Sequence, residues 1–514
     1  MTDAGTEAGG TQQPEEIFRR HGDNPAVIMA GSGRTLSYAE MDDRSTRLAR
    51  VFDEAGLTRG DHVALMLGNQ PEFFEVVWAA LRSGLYMTPI NWHLGAEEAG
   101  YIIQDCGAKA FVTSAELSAV AAELGPWCDG VTKRLMVGGA VDGYEDYDAA
   151  LAAASGEPRG EEHAGTFMLY SSGTTGKPKG IVPELPTSRF GEVADTITML
   201  MEALYGADDS SVYLSPAPMY HAAPLGFSTA VQRLGGAVVV MERFDAAAAL
   251  EAVESHSVTH AQFVPTHFIR MLRLPDDVRT GRDLSSLRTV LHAAAPCPVP
   301  VKHQMIDWLG PIIEEYYAGS EAFGVALINS EDWLEHPGSV GRPALSPVHI
   351  TGPDGEELPV GETGQVWFET QLRFEYNNDP DKTSSVYDDR GWATYGDVGR
   401  VDEDGFLYLT DRASNMIISG GVNIYPQEAE NVLSTHPDVH DVAVLGVPDD
   451  EMGERVKAFV ELGDGVGASD AKAEELITFC RDELAHYKCP RELQFMEELP
   501  RMETGKLLKR RLLE

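Results

Sequence analysis

Short apolar segments alternate with longer helical patterns from about Pro14 to His336, and this alternation restricts the fold more than any other feature of the chain. The segment HVALML precedes the helical pattern PEFFEVVWAALRSG and then YMTPIN. The same order recurs further on in AVVVMERF, FDAAAALEAVESH and VTHAQFVP. Strand, helix and strand at this spacing are typical of crossover units on parallel sheets. The sequence therefore predicts an α/β fold.

Two changes of pattern divide the rest of the chain. Between Pro337 and Asp411, short alternating strands separated by Asp-Gly turns predict a β-rich part made of hairpins. After Arg412, helical segments such as PQEAENVLSTH mix with strands such as DVAVLGV over a length that suits an independent α+β domain. We therefore expect a disordered leader over residues 1–13, an N-terminal domain over 14–412 and a mobile C-terminal domain over 413–514.

Charge and composition exclude several partners. The 514 residues carry 40 Lys+Arg against 81 Asp+Glu, a formal net charge of −41 that repels polyphosphate backbones and argues against nucleic acid as a general partner. A bound phosphate therefore needs a local cluster of amides and cations. The chain has no run of 18 apolar residues, so no membrane span is expected. Its five scattered cysteines form no ligand spacing, which favours a reduced, cytoplasmic location.

The segment YSSGTTGKPKG, Tyr170–Gly180, is the strongest local signal. It follows the strand-like TFML and contains three glycines, four Ser/Thr side chains and two lysines in eleven residues. Such a loop can aim backbone N–H groups, hydroxyls and ammonium groups at a polyphosphate. The spacing differs from the Walker A loop, G-x-x-x-x-G-K-[ST]. We therefore predict a phosphate-binding loop of another type.

This loop resembles the phosphate-loop signature of the adenylate-forming superfamily, which includes acyl-CoA synthetases, aryl-CoA ligases, luciferases and peptide-synthetase adenylation domains. Four further segments resemble that family's motifs in the family's order. They are Tyr317–Glu321 (Y-G-x-T-E), Tyr395–Asp397 (T-G-D), Asp411–Glu428 (the hinge and the loop after it) and Pro500–Lys506 (P-R-x-x-x-G-K). The amino-acid sequences of these motifs are most similar to those of bacterial fatty-acyl and alicyclic-acyl CoA ligases.

The resemblance implies an ATP-dependent acid–CoA ligase. Such an enzyme forms an acyl-adenylate from a carboxylic acid and ATP with Mg²⁺, and then an acyl-CoA thioester with coenzyme A. The implied architecture is a large N-terminal domain of βαβ-rich subdomains with a small β-rich part, followed by a small mobile domain. Three alternatives stay open: a thioesterification-biased ligase that uses a supplied acyl-adenylate, a nucleotide-binding regulator and a luciferase-like oxygenase. A homodimer is compatible with the sequence.

The resemblance also assigns nucleotide-binding residues. Tyr317 is expected to stack on adenine, Asp397 to accept hydrogen bonds from the ribose hydroxyls and Arg412 to donate to the ribose. Glu321 is the expected Mg²⁺ ligand, because Mg²⁺ prefers hard oxygen donors. The full ATP- and AMP-binding set is Ser171, Ser172, Gly173, Thr174, Thr175, Gly176, Lys177, Lys179, Tyr317, Ser320, Asp397 and Arg412.

Catalysis is assigned chiefly to Lys506. Attack of a carboxylate on the α-phosphate spreads negative charge over the phosphoryl oxygens, and a long cationic side chain stabilises that charge. Lys506 also belongs to the cationic run KLLKRR, so a solvated role is the alternative. The resemblance adds Glu321, Ser320 and His221 to the catalytic set.

Three further groups complete the expected site. The acyl pocket is assigned to His221, Ala293, Ala294, Ala295 and Phe323. The three small alanines leave room for a bulky or long apolar acid, although a buried structural role for His221 stays open. Coenzyme A is expected to pass Ser419, Gly420 and Gly421, and Ser414 is the expected hinge. Glu184, just past the phosphate loop, departs from the basic residues common there: it weakens triphosphate binding if its side chain faces the phosphates, whereas the favoured alternative is that it points to solvent and both steps proceed.

Overall fold

The computed structural model describes most of the chain. The described residues are 14–157, 159–171, 178–412, 415–419, 422–449, 452–463, 465–501 and 507–512. The predicted leader, residues 1–13, lies outside them. The chain divides into two compact units. The first comprises the described residues of Met1–Gln262, Pro275–Thr289 and Arg373–Thr383, and the second those of Phe263–Leu274, Val290–Leu372 and Ser384–Glu514.

Strands and helices are interspersed between Pro14 and Phe263. The strands are β1 (Pro25–Met29), β2 (Thr35–Ser37), β3 (His62–Met66), β4 (Tyr86–Pro89), β5 (Ala108–Ser114), β6 (Lys133–Val137), β7 (Glu145–Asp146), β8 (Thr166–Phe167), β9 (Leu169–Ser171), β10 (Lys179–Pro183), β11 (Val212–Ser215), β12 (Ala237–Val240) and β13 (His260–Phe263). The helices are α1 (Pro14–Arg20), α2 (Tyr38–Glu54), α3 (Pro71–Arg82), α4 (Ala96–Asp105), α5 (Ser118–Glu123), α6 (Tyr147–Ala153), α7 (Thr196–Ala203), α8 (Ala222–Arg233) and α9 (Ala246–His256).

The remaining elements begin with further α/β units and become β-rich. The helices are α10 (Pro265–Leu272), α11 (Asp276–Thr280), α12 (Val299–Leu309), α13 (Ser330–Glu335), α14 (Pro380–Val386), α15 (Pro426–Leu433) and α16 (Asp470–Glu483). The strands are β14 (Thr289–His292), β15 (Ile313–Ala318), β16 (Val325–Ile328), β17 (Arg342–Pro343), β18 (Val348–Thr351), β19 (Gly364–Glu369), β20 (Phe374–Tyr376), β21 (Trp392–Ala393), β22 (Asp397–Val401), β23 (Leu407–Arg412), β24 (Ile417–Ser419), β25 (Val422–Ile424), β26 (Val439–Asp449), β27 (Gly453–Leu462) and β28 (Glu492–Met496).

The first unit contains the predicted parallel crossover units. One sheet has the order β7-β6-β5-β3-β4-β8, and all its strand pairs are parallel. A second set of strands runs β13-β11-β12-β1-β2, parallel except for β2. Helix α3 follows β3 as expected: Pro71 at its first turn has no N–H to lose, and every residue of the helix is buried. The predicted α/β class is confirmed.

Two buried side-chain hydrogen bonds connect α2 and α3 with α8 and the segment after it. Trp78 on α3 is fully buried and donates its indole N–H to Gln232 Oε1 on α8 at 2.8 Å. Tyr38 on α2 donates its hydroxyl to the carbonyl of Gly236 at 2.7 Å. Both polar groups are buried and paired, so they add directional contacts to the apolar packing.

The second unit contains the predicted hairpins and the C-terminal α+β segment. Strands β18, β19, β22 and β23 form an antiparallel sheet, and β22 and β23 are joined by a turn in which Gly405 has φ +84°. The C-terminal strands pair in the order β25-β24-β27-β26, with β28 beside β27. A buried apolar cluster around Val444 and Leu476 lies between this sheet and helices α15 and α16. The predicted boundary near Arg412 falls within the second unit, so the division at residues 412 and 413 stays a prediction.

Within the described part of the chain, no helix is both long enough and apolar enough to cross a membrane.

Candidate functional site

The phosphate-loop segment starts and ends on two paired strands of the first unit. Strands β9 and β10 are antiparallel, and Ser171 lies opposite Lys179 in their register. The chain therefore leaves β9 at Ser171 and returns on the neighbouring strand β10 at Lys179. The predicted residues Ser172, Gly173, Thr174, Thr175, Gly176 and Lys177 lie outside the described residues.

Lys179 forms an ion pair that the sequence did not reveal. Its Nζ lies 2.6 Å from Asp379 Oδ2, and the hydrogen bond from Lys179 holds the pKa of Asp379 below its usual value. Asp379 also accepts a hydrogen bond from the backbone N–H of Lys382 at 3.0 Å, at the start of α14. Lys179 has three N–H donors, so the pair anchors the return strand and leaves donors for another anion. Contact of Lys179 with phosphate stays a prediction.

The strand that enters the loop is anchored in a similar way. Tyr170 donates its hydroxyl to Asp105 Oδ2 at 2.6 Å, and Asn377 donates its side-chain amide to the carbonyl of Asp105 at 2.6 Å. These three residues are distant in sequence, and neither Asp105 nor Asn377 belongs to a motif. Sequence reasoning therefore missed both, and no local signal was available.

The predicted adenine- and ribose-binding side chains lie side by side in the second unit. Tyr317, near the end of β15, donates its hydroxyl to Asp397 Oδ2 at the start of β22. Asp397 is 7% exposed, whereas Tyr317 is half-buried. Arg412 lies opposite Asp397 in the register of β22 and β23. The fold thus places these three predicted nucleotide-binding positions next to one another. For Arg412 this statement concerns the backbone only.

A cluster of aromatic rings packs beside this pair. The ring of Phe323 stacks on Tyr395 with centroids 4.0 Å apart, and Tyr395 meets Tyr317 edge-on at 5.8 Å. The Tyr395 hydroxyl donates to the carbonyl of Gly324 at 2.9 Å, and burial raises the pKa of Tyr395. Phe323 is 1% exposed, so its ring belongs to this packed cluster. Its predicted contact with the acyl group stays a prediction.

Ser320 and Glu321 lie in the turn after β15. Ser320 is exposed and Glu321 is half-buried. Gly319 has no room for a side chain: an added Cβ would lie 2.2 Å from the ring of Tyr395 and 2.7 Å from Glu321 Oε2. The next residue, Ala322, has φ +56°, a conformation unusual for alanine. The tight turn therefore sets the position of the Glu321 carboxylate.

Replacing Gly319 tests the importance of this turn. We expect Gly319→Ala to displace Tyr395 and Glu321, to lower the free energy of unfolding by about 1–3 kcal/mol and to reduce acid-dependent ATP–pyrophosphate exchange at least about tenfold. Thermal unfolding and exchange rates measure the two effects. Gly130→Ala is the matched control, because a Cβ at Gly130 meets no atom within 4 Å. Exchange at the wild-type rate in Gly319→Ala would contradict the assigned role of the turn.

The acyl-pocket candidates are divided between the two units. His221 in the first unit precedes α8, and its half-buried ring packs against the ring of Tyr220 with centroids 4.4 Å apart. The three alanines follow β14 in the second unit: Ala293 is 7% exposed, and Ala294 and Ala295 are exposed. Ala294 has φ +78°, in the left-handed region. The assignment of these residues to an acyl pocket stays a prediction.

The C-terminal candidates are described only in part. Ser419 ends β24 and is buried. Gly420, Gly421, the expected hinge Ser414 and the expected catalytic Lys506 lie outside the described residues.

Glu184 lies away from the ends of the phosphate loop. It is exposed and follows β10, whose first residue is Lys179. A strand rises by about 3.3 Å per residue, so Pro183 lies roughly 13 Å from Lys179 and Glu184 lies beyond it. An exposed charge at such a distance is largely screened at physiological ionic strength. An effect of Glu184 on adenylation stays a prediction.

Comparison with known proteins identifies the family. The model of the AMP-binding enzyme family matches residues 14–376, and the model of the AMP-binding enzyme C-terminal domain matches residues 428–506. The chain belongs to the AMP-binding enzymes. This confirms the resemblance to the adenylate-forming superfamily.

Relatives and solved structures specify the chemistry. A feruloyl-CoA synthase of Amycolatopsis is 34% identical over 487 residues, 94% of each chain. A long-chain-fatty-acid–CoA ligase of Mycobacterium tuberculosis is 31% identical over 496 residues, 94% of each chain. The solved structure of o-succinylbenzoate CoA synthetase from Bacillus subtilis with its acyl-adenylate intermediate superposes on this chain with a TM-score of 0.78. The comparison covers 98% of both chains, and the sequence identity is 26%. The chain is an AMP-forming acid–CoA ligase that uses ATP and coenzyme A and works through an acyl-adenylate.

Proposed function

We propose that this ligase activates a carboxylic acid with an apolar body, either an alkyl chain or an aromatic ring. The observation that carries the proposal is the loop after β14, where three consecutive alanines leave space and two of them are exposed. Small side chains exclude little, so a bulky apolar acid fits better than a small polar one. The names of the two relatives, one acting on feruloyl and one on long-chain fatty acyl groups, support this class.

For adenylation we propose that Lys177 and Lys179 bind the ATP phosphates while Tyr317 and Asp397 hold the adenosine. Glu321 fits Mg²⁺, because it is a partly exposed carboxylate held in a tight turn and Mg²⁺ is bound by hard oxygen ligands. Mg²⁺, when bound, would neutralise phosphate charge.

For thioester formation we propose that the C-terminal segment rotates about Ser414. Lys506 then moves away, and coenzyme A passes Ser419, Gly420 and Gly421, where glycine lets a narrow ligand approach the backbone. The five free cysteines fit a reducing cytoplasm, which we propose as the location. We also propose a homodimer, which light scattering of the purified chain tests.

An acid panel tests the proposed substrate class. The purified chain is mixed with ATP, Mg²⁺, coenzyme A and one acid at a time: ferulate, other aryl acids, alicyclic acids, fatty acids of several lengths, malonate and amino acids. Pyrophosphate release gives the rate, and mass spectrometry identifies the acyl-CoA. We expect turnover with apolar acids and background rates with malonate and amino acids. Preference for the polar acids would overturn the proposal.

The alternative of a thioesterification-biased ligase has its own test. We expect acid-dependent ATP–pyrophosphate exchange to be well above background in the wild type and to change less than about twofold in Glu184→Gln, since surface charge changes have small effects. Background exchange in the wild type, restored by Glu184→Gln, would instead support the biased enzyme. Glu192→Gln, also at an exposed position past the loop, is the control for a general charge effect.

A further inference from the structure

Three ionisable side chains form a buried cluster in the second unit. Lys302 Nζ lies 2.6 Å from Glu315 Oε2, and His292 Nε2 lies 3.4 Å from the same oxygen. Lys302 and His292 are 0% exposed and Glu315 is 6% exposed. Lys302 also lies over the ring of Trp333, 4.7 Å from its centroid. We refer to Lys302, Glu315 and His292 as the buried triad.

The buried triad brackets the alanine loop. His292 is the last residue of β14 and directly precedes Ala293, whereas Lys302 lies in the first turns of α12, just after the loop ends at Pro298. Both side chains contact the same carboxylate on β15, where Glu315 lies opposite His292 in the parallel register. The hydrogen bond from Lys302 to Glu315 therefore connects the end of the loop to β15, and the pairing of β14 with β15 connects its start, with the His292 ring beside the same carboxylate.

The same strand carries a residue proposed to bind the nucleotide. Glu315 precedes Tyr317 by two residues on β15, and residues two apart on a strand share a face. The buried triad thus connects the loop proposed to border the acid with the strand that presents Tyr317. No motif of the sequence includes Lys302 or Glu315.

The energetics indicate that the buried triad serves geometry more than stability. Burial raises the pKa of Glu315 and lowers that of His292, and Lys302 opposes the first shift and adds to the second. A buried ion pair recovers its desolvation cost only in good geometry, and well-packed apolar residues are often as stable. In some proteins such a pair imposes a defined arrangement on the segments it joins.

We propose that Glu315, through Lys302 and His292, is a positioning residue that holds the loop of residues 293–298 in the conformation that sets acid specificity. The proposal rests on the proposed function, in which this loop borders the acid. The loop contains the left-handed Ala294, a conformation that surrounding contacts must maintain. The contacts of the buried triad at the two ends of the loop help to maintain this conformation.

The decisive variant is the double substitution Lys302→Met with Glu315→Gln, which removes both charges and keeps their volumes. We expect it to fold, to raise the KM for the preferred acid about tenfold with a smaller change in kcat, and to reduce the preference between two acids of different shape. Hydrogen exchange at the amides of Ala293, Ala294, Ala295 and Cys297 is expected to become faster.

Two controls keep the test decisive. Arg282→Met with Glu254→Gln neutralises an exposed pair at 2.9 Å and should change neither the KM for the acid nor exchange in the loop. His292→Gln leaves the Lys302–Glu315 pair intact, and it should shift both readouts in the same direction but less; it decides the question if the double variant does not fold. Unchanged KM, acid preference and hydrogen exchange would overturn the positioning role. Absence of turnover with every apolar acid in the wild type would instead reject the proposed substrate class. Hydrogen exchange would still show whether the buried triad holds the loop.

Discussion

Lys506→Ala is expected to lower the rate of acyl-adenylate formation by about 10²–10³-fold. In adenylation, the carboxylate attacks the α-phosphate and negative charge develops on the phosphoryl oxygens. Loss of one charge-stabilising donor at such a centre has effects of this size. The measurement is acid-dependent ATP–pyrophosphate exchange at saturating ATP, with the preferred acid of the panel.

The second half-reaction separates this role from a general defect. Lys506→Ala should convert a supplied acyl-adenylate and coenzyme A into acyl-CoA at a rate close to that of the wild type, because thioester formation is proposed to take place with Lys506 moved away. Lys509→Ala, in the same cationic run, is the matched control and should affect neither half-reaction. Equal losses in both half-reactions for Lys506→Ala would reject the division of labour.

Asp397→Ala is expected to raise the KM for ATP by about 100-fold. Hydrogen bonds to a charged group contribute about 1.5–3 kcal/mol each, and two ribose hydroxyls are proposed to donate to this carboxylate. Asp397 is almost fully buried, so water replaces it poorly. Initial rates at varied ATP and saturating acid give the value.

Tyr317→Phe provides the comparison for Asp397→Ala. It keeps the ring proposed to stack on adenine and removes only the hydroxyl that donates to Asp397. We expect a change in the KM for ATP of less than about fivefold, because the ribose hydroxyls proposed to donate to Asp397 would replace the hydrogen bond from Tyr317 when ATP binds. A larger effect of Tyr317→Phe than of Asp397→Ala would show that the carboxylate only orients the tyrosine.

The sequence predicted the fold where local patterns decide it. Segments such as β3 and α3 are confirmed because apolar runs and helical periodicity depend on neighbours along the chain. The family motifs also located Tyr317 and Asp397, which the fold brings into contact across 80 residues of sequence.

What the sequence did not reveal depends on packing between distant segments. The pairing of Lys179 with Asp379 and of Lys302 with Glu315 follows from strand order and register, and these residues carry no pattern of their own. The stacking of Phe323 on Tyr395 is another contact of this kind, and the assignment of Phe323 to the acyl pocket stays a prediction. The acid itself stays unassigned, because three alanines define space and not chemistry.

The backbone conformation of Ala294 has a consequence for protein engineering. With φ at +78°, this position penalises β-branched and bulky side chains by about 1–2 kcal/mol, whereas glycine and asparagine are tolerated. Ala295 has no such restriction, since it is exposed and lies outside the left-handed region. Since this loop is proposed to border the acid, a library designed to redirect this ligase to new acids should diversify residue 295 and restrict residue 294 to small or amide side chains. The three alanines look equivalent in the sequence, but they differ in backbone conformation and exposure and therefore tolerate different substitutions.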